Sequence, residues 1–131
     1  MILLDTHIWL DWIMKGSTAL PSGIAMKIES DTRVAVSAIS CFEVTHLVAR
    51  GAVRLETPVD EWLQVALAPS GIECLPITCE IARRSVALPM IHKDPADRII
   101  IATAIAHEAE LASRDSKFPL YAEVAARLIT S

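Results

Sequence analysis

Met1-Ile2-Leu3-Leu4-Asp5-Thr6-His7-Ile8-Trp9-Leu10 decides the fold. The apolar run from Met1 reads as a short buried strand that ends on Asp5, and Thr6 then opens a helix through Met14 whose residues Ile8, Trp9, Trp12 and Ile13 recur at helical spacing. A strand followed at once by a helix is the first strand-to-helix unit of an α/β alternation. The rest of the chain continues the alternation. A helix from Pro21 to about Ser30 leads to the β-branched strand Arg33-Val34-Ala35-Val36, and a helix from Pro58 to about Ala68 leads through Pro69-Ser70-Gly71 to the strand Ile72–Leu75. Thr78 caps the next helix, which stops near Pro89. Asp94-Pro95 restarts the chain with an N-cap residue and proline at the first helical position. From Ile99 to Ile105 that helix is apolar nearly all round, which predicts a buried central element, and Leu111-Ala112-Ser113 is a short strand just ahead of Asp115.

Strands alternating with helices predict an α/β fold of three layers, α/β/α, around a central, mainly parallel sheet. The 131 residues are the length of one domain and show no repeat, linker or low-complexity tract. Although 53% of residues are apolar, no charge-free stretch approaches the roughly 18 residues of a membrane span. The first five residues also lack the basic start of a secretory signal, so the expected location is the cytoplasm. So apolar a chain has more such surface than one core hides, which points to oligomerisation. Cys41, Cys74 and Cys79 match neither zinc-site nor disulfide spacing and read as buried free thiols. A formal charge of −4 leaves no basic footprint for nucleic acid, unless a bound cation alters the local sum.

Open α/β sheets bind ligands beyond the carboxyl ends of their strands. Asp5 ends the first strand, Glu43 lies in the first turn after the second, Asp115 follows the last, and Asp97 sits in the first turn of the central helix. Each acid alone has a structural reading. Ser40-x-x-Glu43 has the form of a capping box, Asp97 suits the helix dipole behind the Asp94 cap, Asp5 can cap the first helix, and Asp115 can start a turn. Such a cap contributes about 0.5–2 kcal/mol. Two carboxylates about 5 Å apart at an effective dielectric of about 20 repel by about 3 kcal/mol, so caps do not justify bringing four together. A hard divalent cation does, and oxygen-only ligands suit Mg2+ or Mn2+.

The strings Leu3-Leu4-Asp5-Thr6-His7, Ser40-x-x-Glu43, His92-x-Asp94-Pro95-Ala96-Asp97-Arg98 with its Ile101-Ala102-Thr103-Ala104 continuation, and Ser113-Arg114-Asp115 resemble PIN-domain ribonucleases in order and spacing. Within them the chain looks like the VapC-type toxins of bacterial toxin-antitoxin pairs. The resemblance implies a PIN-like fold over residues 1–131 and metal-dependent endonucleolytic cutting of RNA, leaving a 5′-phosphate and a 3′-hydroxyl. It also implies an antitoxin partner, in a homodimer or a toxin-antitoxin hetero-oligomer. It makes Asp5, Glu43 and Asp97 metal ligands, Asp115 a fourth acid acting partly through water, and Thr6 a supporting hydroxyl. The C-terminal stretch Glu123–Ile129 departs from the pattern, being more alanine-rich and helical than the strand expected there.

The remaining polar residues keep two readings each. Arg98 and Arg114 suit either phosphate contact or a salt bridge to a neighbouring acid, and Asp94 and Ser113 fall inside the matched strings. His7 and His92 stand near the acids but read as structural, and Lys93 either attracts RNA or is simply solvated. Trp9, Trp12 and Trp62 follow helical spacing and read as core or partner contacts rather than as base-stacking surfaces. An aspartyl phosphatase would need a second acid at position 7, where His7 stands. A binding-only module of the same fold is the alternative from another class.

Overall fold

The computed structural model describes residues 1–31 and 33–131. Within these residues five strands, β1 (Ile2–Leu4), β2 (Val34–Ser37), β3 (Ile72–Leu75), β4 (Glu110–Ala112) and β5 (Leu128–Ile129), form one sheet in the order β3-β2-β1-β4-β5. Every pairing is parallel. Among the described residues seven α-helices accompany it: α1 (Thr6–Lys15), α2 (Ser22–Ser30), α3 (Ala38–Ala49), α4 (Val59–Ala66), α5 (Cys79–Ala87), α6 (Pro95–Ala106) and α7 (Ala122–Ala125).

The strands alternate sides residue by residue, and this builds the layers. Ile2, Leu4, Val34, Val36, Ile72 and Ala112 face one core with Ile8 and Trp9 of α1, Ile24 of α2 and Trp62 of α4. Leu3, Ala35, Leu75 and Leu111 face the other, with Ile81 of α5, Ile100 and Ile101 of α6, Phe118 and Val124. The expected α/β/α sandwich is therefore present, with α6 buried as its pattern predicts. Trp9 and Trp62 are core residues: their rings meet edge to face at 5.2 Å, and the Trp9 indole N–H donates to the Ala66 carbonyl at 3.0 Å, tying α4 to α1.

Four expectations change. Helix α3 starts three residues earlier than a Ser40 cap allows, because Ser37 at the end of β2 is the N-cap and accepts from the Ile39 amide. Ser40 and Glu43 thus sit inside the helix, free to serve other contacts. The alanine-rich C-terminus makes only a single helical turn in α7. Beyond it β5 pairs with β4, where the Leu111 and Ser113 amides donate to the carbonyls of Arg127 and Ile129. Two residues of strand are too few to show a period in sequence. The cysteines are free thiols, but Cys74 and Cys79 are exposed rather than buried. Lastly, Arg98 is buried, with consequences for the site.

Candidate metal centre

The strand order reverses at β1, whose neighbours are β2 on one side and β4 on the other, so a crevice opens beyond the carboxyl ends of β1 and β4. Asp5 stands at its base. Its amide donates to the Ala112 carbonyl, while Oδ1 accepts from the Thr6 amide at 2.7 Å and Oδ2 accepts from the Ser113 hydroxyl at 2.8 Å. Asp5 caps α1 and is fixed in the crevice by the same two bonds, with a lone pair left on each oxygen. Glu43 reaches in from α3. Thr6 donates its hydroxyl hydrogen to Glu43 Oε1, so the 2.8 Å contact between Thr6 and Ser40 is a bond that Ser40 donates. Asp94 caps α6 by accepting from the Ala96 amide at 2.9 Å, and Asp97 follows on the first turn. Asp115 accepts from the Lys117 amide at 2.8 Å in a turn after β4, its own amide donating to Ser113 Oγ.

These side chains line a cleft of about 480 Å³ together with His7, Asp11, Arg50 and Arg114. Two sets of ligand atoms lie within 4.8 Å of one another: Glu43, Asp94 and Asp97 in one, His92, Asp97 and Asp115 in the other. Asp97 belongs to both. The first set offers oxygen only, which fits a hard divalent cation. His92 Nε2 is 3.0 Å from both Asp97 Oδ2 and Asp115 Oδ2. Since its Nδ1 accepts from the Asp94 amide at 3.4 Å, the Nε2 hydrogen is the one shared between the two carboxylates. The loop carrying His92 is fastened in turn, its amide donating to the Tyr121 hydroxyl at 2.8 Å.

The electrostatics register the crowding. Burial, reinforced by the charges of Asp5, Asp94, Glu43 and Asp115, pushes the Asp97 carboxyl up to about 8. Burial also raises Asp5 and Glu43, against the opposing hydrogen bonds from Ser113 and the Thr6 amide on Asp5 and from Thr6 on Glu43. Asp115 goes the other way. Burial pulls it up, but the bonds from His92 and the Lys117 amide, with the charges of His92 and Lys117, outweigh it and hold it below the ordinary carboxylate value. Carboxylates packed until one resists ionisation form an arrangement that a divalent cation relieves, so the donor set fits Mg2+ or Mn2+.

Most of the residues singled out from the sequence converge here, and the two arginines part company. Arg98 pairs with no acid among the described residues. It is 5% exposed, and its guanidinium donates to the carbonyls of Val86, Leu88, Pro89 and His92, closing the loop between α5 and α6. Arg114 is on the cleft rim, paired with Asp11. Three residues at the site have no functional reading in the sequence. His92 read as structural, although it joins two acids. Asp11 carried no motif. Arg50, the C-cap of α3, lies seven residues beyond Glu43, a spacing of about two helical turns that was the available signal.

A parallel α/β sandwich with a carboxylate centre at its topological switch point defines a class of metal-binding α/β proteins. The family follows from comparison: residues 2–124 match the PIN domain, and the chain belongs to the PIN-domain family. It is 38% identical to Ribonuclease VapC22 of Mycobacterium tuberculosis over 117 residues, 88% of each chain. Among solved structures it resembles a toxin-antitoxin complex from Klebsiella pneumoniae, with TM-score 0.69 and 26% identity, covering 99% of this chain and 97% of that one. VapBC2 from Rickettsia felis, bound to a DNA fragment from its promoter, shares the fold at TM-score 0.69 and 20% identity, with 98% of each chain covered.

Proposed function

We propose that residues 1–131 form one PIN-like domain that is a divalent-metal-dependent endoribonuclease, the toxin of a toxin-antitoxin pair acting in the cytoplasm. The observation that carries this reading is the convergence of Asp5, Glu43, Asp94, Asp97 and Asp115 in one cleft, with Asp97 raised to about 8. Glu43, Asp94 and Asp97 would hold the ion, Asp5 completing the oxygen set from the base and Asp115 and His92 closing the far side. When bound, Mg2+ or Mn2+ supplies charge that favours deprotonated water and offsets charge developing on the scissile phosphate.

The chain's own groups do the rest. Thr6 aims Glu43, and Ser113 aims Asp5. Asp115, held below the ordinary range, stays ionised at neutral pH and orients the attacking water as an acceptor. Asp97 belongs to both ligand sets, and an ion in the second would take the place of the His92 Nε2 hydrogen. An apolar groove of about 350 Å³ between α1 and α4, lined by Ile13, Met14, Leu55, Trp62 and Val65, supports the antitoxin part of the reading, since an amphipathic helix seats in such a groove.

The test is cleavage of several RNAs by the chain freed of any partner, with Mg2+, with Mn2+ and with chelator, beside Asp5→Asn and Glu43→Gln. Cutting that leaves 5′-phosphates, stops under chelation and falls at least about a hundredfold in both variants is expected. Cutting that survives chelation and both substitutions would sink the mechanism. A folded but inert wild type would favour the binding-only module.

A further inference from the structure

Among the described residues the most exposed aromatic ring is not a tryptophan. Trp9 and Trp62 are buried, whereas Phe42 on α3 is 62% exposed and adjoins Glu43 in sequence. One turn on, His46 is also exposed, and the two rings lie parallel within 5°, their centroids 5.9 Å apart. Leaving a phenylalanine ring in water forgoes the burial that aromatic side chains ordinarily find, so the pair calls for an occupant.

The ground beneath the rings leads to the acids. Phe42 and His46 line a second cleft of about 300 Å³ with Ala96 and the four residues Glu43, Leu47, Arg50 and Asp94. Those four residues also line the acidic cleft, so the two hollows are continuous across one face of α3. Arg50 stands on the shared wall and makes no ion pair among the described residues, whereas Arg114 across the cleft is held by Asp11. A free guanidinium between a flat aromatic surface and a phosphate-cleaving centre matches the repeat of a nucleic-acid strand, in which base and phosphate alternate.

We infer that Phe42 and His46 form a stacking platform for the base of a nucleotide flanking the cleaved bond, with Arg50 on the phosphate between them. The inference rests on the ribonuclease reading and names the binding subsite beside its metal centre. Stacking engages the face that every base has, so the platform contributes affinity with little sequence preference.

Single abasic nucleotides placed in turn along a short RNA test it. For wild type, one position beside the cleaved bond is expected to raise KM about tenfold with kcat unchanged. Phe42→Ala should show that KM on the intact RNA and no further penalty from the abasic position, Phe42→Trp should restore wild-type behaviour, and Arg50→Ala should raise KM with a weaker salt dependence. An abasic penalty undiminished in Phe42→Ala, or an unchanged KM, overturns the platform. So does a Phe42→Ala variant that loses only a self-association seen by gel filtration, since the face then belongs to a second copy of the chain. If wild type cuts no RNA, the ribonuclease reading fails by itself. The platform is then judged by the indole of Phe42→Trp, whose fluorescence either is quenched by single-stranded oligouridine with Mg2+ present, as expected, or is not, which removes it.

Discussion

The two edges of the sheet treat charge in opposite ways. At the amino ends of the strands, acid meets base: Arg33 grips Glu73 through two bonds of 2.9 Å, Lys27 meets Glu110 at 2.9 Å, and the Met1 amine lies 3.9 Å from Asp31. At the carboxyl ends Asp5, Glu43, Asp94, Asp97 and Asp115 crowd together, with His92 shared by two of them and Arg50 on the wall. The same chain can evidently place a cation beside a carboxylate when only the fold is served. Where it withholds one, the folded protein carries repulsion that a ligand can later remove, which is how functional sites come to be less stable than their surroundings.

The sharpest way to break this contrast is Asp97→Asn. The amide keeps the shape and removes the charge common to both ligand sets, so RNA cleavage should fall at least about a thousandfold. In chelator the same variant should be more stable than wild type, by on the order of 1 kcal/mol after allowance for solvent in the cleft. A variant that melts lower than wild type in chelator would mean that Asp97 pays its way structurally and that the edge is not strained.

Next in size is a linkage with pH. Asp97 is raised from 3.8 to about 8, so between those values the folded chain keeps a proton that the unfolded chain has released. Metal-free stability should therefore be greatest near the lower limit and fall as pH rises through the window. Binding of Mg2+ or Mn2+ displaces that proton, so apparent affinity should rise by about tenfold per pH unit until it levels off near 8. Thermal melts at several pH values with and without the ion measure both trends. Stability that rises over the window in chelator would contradict the sign.

The sequence carried the sheet and the positions of the acids further than it carried their neighbours. Asp94-Pro95 signals a helix start by a local rule, and the helix starts there. Asp5 at the end of an apolar strand is equally local. Ser40 and Glu43 misled because their spacing fits a capping box, while Ser37 three residues earlier is the cap and Ser40 instead bonds Thr6, 34 positions away in the chain. Arg98 could not be resolved locally. Whether a guanidinium beside an acid turns outward or is swallowed depends on where the carbonyls of Val86, Leu88, Pro89 and His92 come to lie. His92 joins Asp97 to Asp115 only because β4 brings Asp115 beside that loop.

Smaller effects separate support from chemistry at the carboxyl edge. Thr6 is 2% exposed, and Thr6→Val keeps its shape while removing the hydroxyl between Ser40 and Glu43. We expect a loss of about 1–2 kcal/mol in denaturant melts and a fall in kcat of about tenfold, because Glu43 is then free to leave its aim. An unchanged kcat would show that Glu43 is positioned by the ion alone.

Smallest of all should be Arg33→Ala at the opposite edge. Both members of the Arg33–Glu73 pair are about half exposed, with side-chain exposures of 55% and 46%. In water the attraction between such charges is screened and set against the entropy of holding two side chains still, even where the geometry is bidentate. RNA cleavage should match wild type, and the thermal midpoint at physiological salt should move no more than replicate melts differ. A clear loss of activity from Arg33→Ala would matter more than its size, because it would show the paired edge acting on the unpaired one through β2, the strand that leads from Arg33 to α3 and Glu43.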